Sequence, residues 1–256
     1  QTSNAGVTST IDSSSNASTS LTAPNWVLHD KIGYFFPTGG NITINNKMQT
    51  GSWSRINSTQ ASTSLSGAVF NMWINHGAAP GNAKYVYIVV PNLNDVAAMQ
   101  NYNSANIKIV KNSDTVQAVR HLGLDMMQVL FYKAGTLSDG TISVTVNAPC
   151  ALLFKNLSTS NVLVSIADPS QQNGNINLTF QLPGITGGPR YLSARLPTGE
   201  LAGASARFLL NQNLPSTPPA SLTAIADAYI RDGTYAGTNY GSATMLIVKK
   251  ESGSGY

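Results

Sequence analysis

Three histidines, eleven carboxylates and one cysteine set what chemistry this 256-residue chain can support. His29 and Asp30 are adjacent, so on a strand their side chains point to opposite faces and lack the geometry of an acid/base pair. His76, in Asn75-His76-Gly77, falls at a strand end, where ordering a loop is the preferred role, and His121 is read in the same way. Arg55 is the cation in the most suggestive setting. Alternate residues of a strand share one face, so Trp53, Arg55 and Asn57 would stand side by side: an aromatic platform, a guanidinium fork for a carboxylate, and an amide for hydroxyls. That set suits an acidic sugar. The competing assignment puts Trp53 in a sandwich core with Arg55 reaching solvent along its own stem.

The remaining reactive residues suggest less. Cys150 excludes an internal disulfide, and within Pro149-Cys150-Ala151-Leu152-Leu153-Phe154 it reads as a small buried apolar residue without chemistry. The carboxylates are scattered, with no Asp-Xaa-Asp-Xaa-Asp run, so no metal site and no required cofactor are expected. A structural calcium ion held by loop carbonyls is left open. Asp227 and Asp232 are the carboxylates nearest to such a role, although turn stabilisation is preferred for both.

The elements that would position these residues are strands. Only 10% of residues are charged, against a norm of roughly 25%, and Ser, Thr, Asn and Gly take the polar positions, which suits strands and turns over amphipathic helices. Residues 1–22 hold fourteen Ser, Thr or Asn and are read as an edge segment or loop. From Trp26 onward, short apolar runs alternate with turn residues. Trp26 to Phe36 and Asn41 to Asn45 are expected to pair as a hairpin across Pro37-Thr38-Gly39-Gly40. Strands are then expected at 51–56, 69–75, 85–90, 107–110, 116–120, 126–132, 141–147, 151–155, 162–167, 176–182, 191–196 and 204–210. One short helix near 94–101 interrupts them, with Asn94 as N-cap. The expected fold is therefore all-β: a large antiparallel β-sandwich followed by a smaller antiparallel β-sandwich domain.

Partners are bounded by charge and hydropathy. A net charge of +4 without a run of Lys or Arg predicts no nucleic-acid partner. No apolar stretch approaches the roughly 18 residues of a membrane span, so no membrane partner is expected. Residues 212–222 have the composition of a linker, and a new module starts at 223–256.

Several blocks carry a family resemblance. Asn25-Trp26-Val27-Leu28-His29-Asp30-Lys31-Ile32-Gly33-Tyr34-Phe35-Phe36, then Gly51-Ser52-Trp53-Ser54-Arg55-Ile56-Asn57, then Trp73-Ile74-Asn75-His76-Gly77, then Tyr85-Val86-Tyr87-Ile88-Val89-Val90-Pro91 resemble the β part of polysaccharide lyase family 8, the hyaluronate, chondroitin and xanthan lyases. Asn112 to Arg120 is similar to the smaller terminal β domain of that family. Asp227-Ala228-Tyr229-Ile230-Arg231-Asp232-Gly233 resembles the opening of a disaggregatase-related, carbohydrate-binding appendage. The resemblance implies the following organisation: 1–92 as the end of the central lyase sandwich, 93–211 as the terminal β domain, and 223–256 as the start of a carbohydrate-binding module. It implies a secreted, extracellular enzyme that cleaves an acidic polysaccharide by β-elimination, with xanthan the expected substrate and hyaluronan and chondroitin left open. The family's catalytic residues belong to an upstream (α/α) toroid. No position here matches them, so no catalytic residue is assigned and the chain alone is expected to be inactive. The second function considered is a stand-alone carbohydrate-binding sandwich that binds by aromatic stacking without catalysis.

Overall fold

The computed structural model describes residues 1–4, 6–11, 18–218, 226–235 and 238–249, the last two segments as backbone only. Among these, the regular structure is almost wholly antiparallel strand, with one six-residue α-helix and short 3-10 turns, and the chain divides into two units, Gln1–Ser104 and Ala105–Tyr256.

The first unit contains β1 (Thr2–Asn4), β2 (Val7–Ser9), β3 (Ser18–Thr22), β4 (Trp26–His29), β5 (Ile32–Phe35), β6 (Asn41–Gly51), β7 (Leu65–Ile74), β8 (Ile88–Pro91) and α1 (Val96–Asn101). One sheet runs β2-β1-β4-β5-β8 and the other β3-β6-β7. Alternation sorts the side chains. Val27 of the first sheet and Phe36 just beyond it bury against Ile42 and Ile44 of the second, with Phe70, Met72 and Ile74 packed around them. On the opposite face, Trp26, Leu28 and Phe35 cover Met99 of α1. The helix sits close because Gly33 has no side chain: a Cβ there would lie 2.5 Å from the Met99 sulfur.

Several expectations are corrected here. Trp26 to Phe36 does not pair with Asn41 to Asn45; it is itself a hairpin, Trp26 opposite Phe35 and His29 opposite Ile32. Its two-residue turn has Asp30 at φ 45° and Lys31 at φ 62°, the left-handed pair of a type I′ turn. Asp30 is therefore a turn residue, not a strand neighbour of His29. Asn41 to Asn45 pairs with Ser18–Thr22 and with β7 in the other sheet. The expected 85–90 strand starts late: the strand formed is Ile88–Pro91. Asp95, not Asn94, caps α1, accepting from the Ala98 N–H at 2.8 Å. Within the polar segment 1–22, Thr2 and Ser3 are buried because β1 pairs with β4.

The second unit contains β9 (Ile107–Asn112), β10 (Val116–His121), β11 (Met126–Phe131), β12 (Gly135–Asp139), β13 (Ile142–Val146), β14 (Cys150–Lys155), β15 (Val162–Ala167), β16 (Asn175–Gln181), β17 (Arg190–Arg195), β18 (Ala206–Leu210), β19 (Ala226–Tyr235) and β20 (Thr238–Lys249). Its sheets are ordered β20-β19-β18-β15-β14-β11-β10-β9 and β12-β13-β16-β17. Their facing residues form one core around Phe131, Phe154, Phe180 and Phe208. At the start of the expected linker, the Gln212 carbonyl accepts from Arg190 Nε at 3.0 Å and the Pro215 carbonyl from the Tyr191 N–H at 2.7 Å. β19 and β20 form a hairpin, and β19 meets β18 with Ile230 opposite Arg207.

Candidate carbohydrate-contact surfaces

The β6–β7 hairpin of the first unit carries a candidate surface at each end. Its strands pair over ten positions, from Ile42 opposite Ile74 to Gly51 opposite Leu65, so the ends lie about 30 Å apart at ~3.4 Å per residue.

Trp53, Arg55 and Asn57 occupy the connecting loop. The expected strand at 51–56 is not formed. Beyond extended Ser52 the chain tightens into a 3-10 turn over Trp53–Arg55, and the Trp53 carbonyl accepts from the Ile56 N–H at 3.0 Å and the Asn57 N–H at 2.9 Å. The shared-face geometry therefore fails, because a 3-10 turn of three residues sends Trp53 and Arg55 in different directions. The physical reason is local: Asn57 folds back on the chain, its side-chain oxygen accepting from the Thr59 N–H at 3.0 Å and the Thr59 hydroxyl at 2.8 Å. All three residues are exposed, Trp53 at 60%, so none is core. The tip thus offers an aromatic, a cation and an amide within one tight turn, without a preset platform.

At the other end, a recess of about 400 Å3 is walled by Asn41 from the start of β6, Asn75 and His76 beyond β7, and Lys84 and Tyr85 from the segment before β8. The His76 and Tyr85 rings lie 6.1 Å apart, and Tyr85 and Tyr87 stack at 6.2 Å. The wall is held by backbone: the Asn75 N–H donates to the Asn41 carbonyl at 2.7 Å, and the Asn75 side-chain oxygen accepts from the Gly77 N–H at 2.9 Å. Gly77 has φ 76°, a conformation that favours glycine, and turns the chain away from the strand. Trp73, 43% exposed, projects from the outer face of β7 beside an amide pair in which Asn71 donates to Asn45 at 3.0 Å.

The other singled-out residues have structural surroundings. His29 stacks on Phe70 with ring centroids 3.8 Å apart, and His121 accepts from the Leu124 N–H at 3.1 Å. Cys150 is fully buried, and burial first, then the nearby Asp168 charge, push its thiol up to about 12. Asp168 gave no signal in the sequence. Burial pushes its carboxyl up, but hydrogen bonds from Ser170 and Asn173 outweigh it and hold the group at about 2. The Asp227 and Asp232 side chains lie outside the described ones. Among the described residues no three His, Cys, Asp or Glu side chains gather as a metal cluster would.

Comparison with known proteins bears on these surfaces. Residues 2–103 match the super-sandwich domain of polysaccharide lyase family 8, residues 108–177 its C-terminal β-sandwich domain, and residues 218–256 carbohydrate-binding module family 96. The chain is 40% identical to a chondroitinase-AC of Pedobacter heparinus over 70% of its length and 25% of the relative's. It is 30% identical to a xanthan lyase of Bacillus sp. over 60% of its length and 17% of the relative's. The chain thus spans at most about a quarter of either relative. Among solved structures, a chondroitinase AC lyase studied with oligosaccharides superposes with a TM-score of 0.69 at 38% identity, over 75% of this chain and 28% of the other.

Proposed function

Because the chain carries the super-sandwich and C-terminal β-sandwich domains of polysaccharide lyase family 8, we propose that it is the β part of a secreted, extracellular polysaccharide lyase whose helical (α/α) toroid domain performs the bond breaking. In β-elimination the C5 proton of a uronate passes to a base, the C4–O bond breaks, the leaving oxygen takes up a proton, and a C4=C5 double bond remains. A carboxylate at C6 acidifies that proton, which is why the substrate is an acidic polysaccharide. The β part supports the toroid and lines one wall of its cleft. Exposed Trp53, Arg55 and Asn57 are the residues proposed to touch the glycan from the hairpin tip. The proposal requires no cofactor and no catalytic metal; a structural calcium ion stays part of it.

The observation that carries this reading is the succession of two family-8 domain types along one chain, in order and nearly adjoining. Identity of 40% to the chondroitinase against 30% to the xanthan lyase favours a chondroitin-type glycosaminoglycan over xanthan as the first substrate to test. The test is the ultraviolet absorbance of unsaturated uronates, recorded with chondroitin sulfate, hyaluronan and xanthan in turn. Absorbance should rise when the helical domain is present in the same polypeptide and stay flat with the 256-residue chain alone. Cleavage by the chain unaided would overturn the division of labour. A stand-alone binding protein is the second reading, favoured by the family 96 match over residues 218–256; it is supported if the 256-residue chain itself retains polysaccharide and supplying the helical domain brings no cleavage.

A further inference from the structure

The recess at the His76 end of the β6–β7 hairpin points to a site about 30 Å from the Trp53 tip. We propose that it binds an anionic sugar, a single hexuronate unit of an acidic polysaccharide. The choice of ligand rests on the lyase reading; the site itself rests on its own chemistry. Its volume, about 400 Å3, lies in the ~300–1,000 Å3 range of small-ligand sites. The walls contain a lysine, a histidine and two asparagines, but no Asp or Glu. Lys84 supplies the positive charge for a carboxylate, and the amides of Asn41 and Asn75 supply donors and acceptors for ring hydroxyls. The Tyr85 ring, 59% exposed and backed by Tyr87, offers the flat apolar surface that a pyranose covers with its C–H face. The recess is shaped before any ligand arrives: Asn41 and Asn75 are joined through backbone, and Gly77 leaves its rim open, with no atom within 4 Å of where a Cβ would stand.

The second feature of the site is its direction along the hairpin. A polymer held at the tip by Trp53 and Arg55 and at the far end by Lys84 and Tyr85 would be gripped at two points several sugars apart, so weak contacts at each add through effective concentration. The recess is then a holding site for the chain and leaves the bond-breaking chemistry elsewhere.

The experiment is an amide-resolved NMR titration of the 256-residue chain with a chondroitin tetrasaccharide, and in parallel with the neutral cellotetraose. Shifts at Gly39, Gly40, Gly77 and Tyr85 are expected with the uronate tetrasaccharide. Lys84→Glu, a change at an exposed side chain, should weaken that binding by about fivefold or more and reduce its salt dependence. Tyr85→Ala is the second variant, and spectral dispersion reports that each is folded. The proposal is overturned if those amides do not move, if shifts fall only within residues 226–249, if cellotetraose binds equally well, or if Lys84→Glu leaves affinity unchanged. The readout is binding, so it separates from the lyase reading. A recess that binds while the helical-domain protein fails to cleave leaves this inference standing and sinks the other, and the reverse outcome does the opposite.

Discussion

Asp168 shows how much one carboxylate can hold together. Its two oxygens accept from the Ser170 N–H at 2.9 Å and hydroxyl at 2.6 Å, the Gln172 N–H at 3.0 Å, and the Asn173 N–H at 2.7 Å and side-chain amide at 2.9 Å. The loop after β15 is thereby wrapped around a buried charge, and Asp168→Asn should cost about 3 kcal/mol by turning an acceptor into a donor among donors. The pH dependence follows from the lowered pKa. Native Asp168 sits at about 2 against an ordinary 3.8, so its contribution is complete above about 3.8 and is lost as pH falls through about 2. Asp125 is lowered too: burial raises it, but bonds from Ser158 and the Arg120 charge more than offset that. Denaturant midpoints between pH 2 and 5 should therefore fall for both proteins, and the gap between wild type and Asp168→Asn should narrow toward the acid end. A constant gap would sink the linkage. Cys150 has the opposite sense. Its thiol at about 12, against an ordinary 9.0, gives stability that is complete below pH 9 and lost as pH rises toward 12. At pH 8 a thiol reagent should modify it only after unfolding; rapid labelling of the folded chain would show that the burial is wrong.

Among the elements, strands with strict alternation were legible, whereas turns without glycine or proline were not. Ile142 to Val146 and Val162 to Ala167 alternate buried and outward positions along their length, because both belong to a sandwich with one inner face. Gly135–Asp139 escaped notice: in Gly-Thr-Leu-Ser-Asp only Leu137 points inward, and a single apolar residue has no period. The pairing of Trp26 to Phe36 was misread because Pro37-Thr38-Gly39-Gly40 is the stronger turn signal, whereas Asp30-Lys31 lacks the glycine that usually marks a type I′ turn. Trp53, Arg55 and Asn57 lie in an exposed turn and loop where the sequence pattern puts a strand, since the Asn57–Thr59 bonds are a side-chain effect that periodicity cannot register. The recess was not legible at all, because it joins Asn41 to Tyr85 across segments whose approach depends on tertiary pairing. One turn is fixed by close approach instead. Gly184, whose N–H donates to the Leu157 carbonyl at 3.1 Å, would put a Cβ 1.8 Å from the Thr159 carbonyl oxygen. Since that neighbour is backbone and cannot rotate away, Gly184→Ala should cost about 3 kcal/mol. A thermal midpoint within roughly 2 °C of wild type would show that the loop yields.

At the scale of the molecule, the two units differ in how much they can bury by themselves. Of the twelve largest fully buried side chains among the described residues, only Ile42 and Met99 belong to Gln1–Ser104; the others lie in the second unit. Among the described residues the exposed large apolar side chains are distributed in reverse, with ten in the first unit, including Met48, Val69, Trp73 and Val89, and four in the second. A sandwich stands by itself only when both sheets spend their apolar residues on each other. The second unit does so: Phe131, Phe154, Phe180 and Phe208 come from both of its sheets and meet in one core. The first unit splits a smaller set between the α1 side and the β6 side of one sheet, and leaves the outer side of β7 uncovered. Residues 105–218 expressed alone should therefore unfold in one cooperative step, and Phe154→Ala should lower that stability by about 4 kcal/mol. Residues 1–104 alone should unfold broadly and bind a dye such as ANS, which reports exposed apolar surface. If the proposed helical domain covers the outer β7 face, that dye signal should be suppressed when the same residues are part of a polypeptide that includes it. Sharp, dye-free unfolding of 1–104 by itself would remove the need for such a cover, and with it the physical reason for assigning this unit a supporting role beside a larger domain.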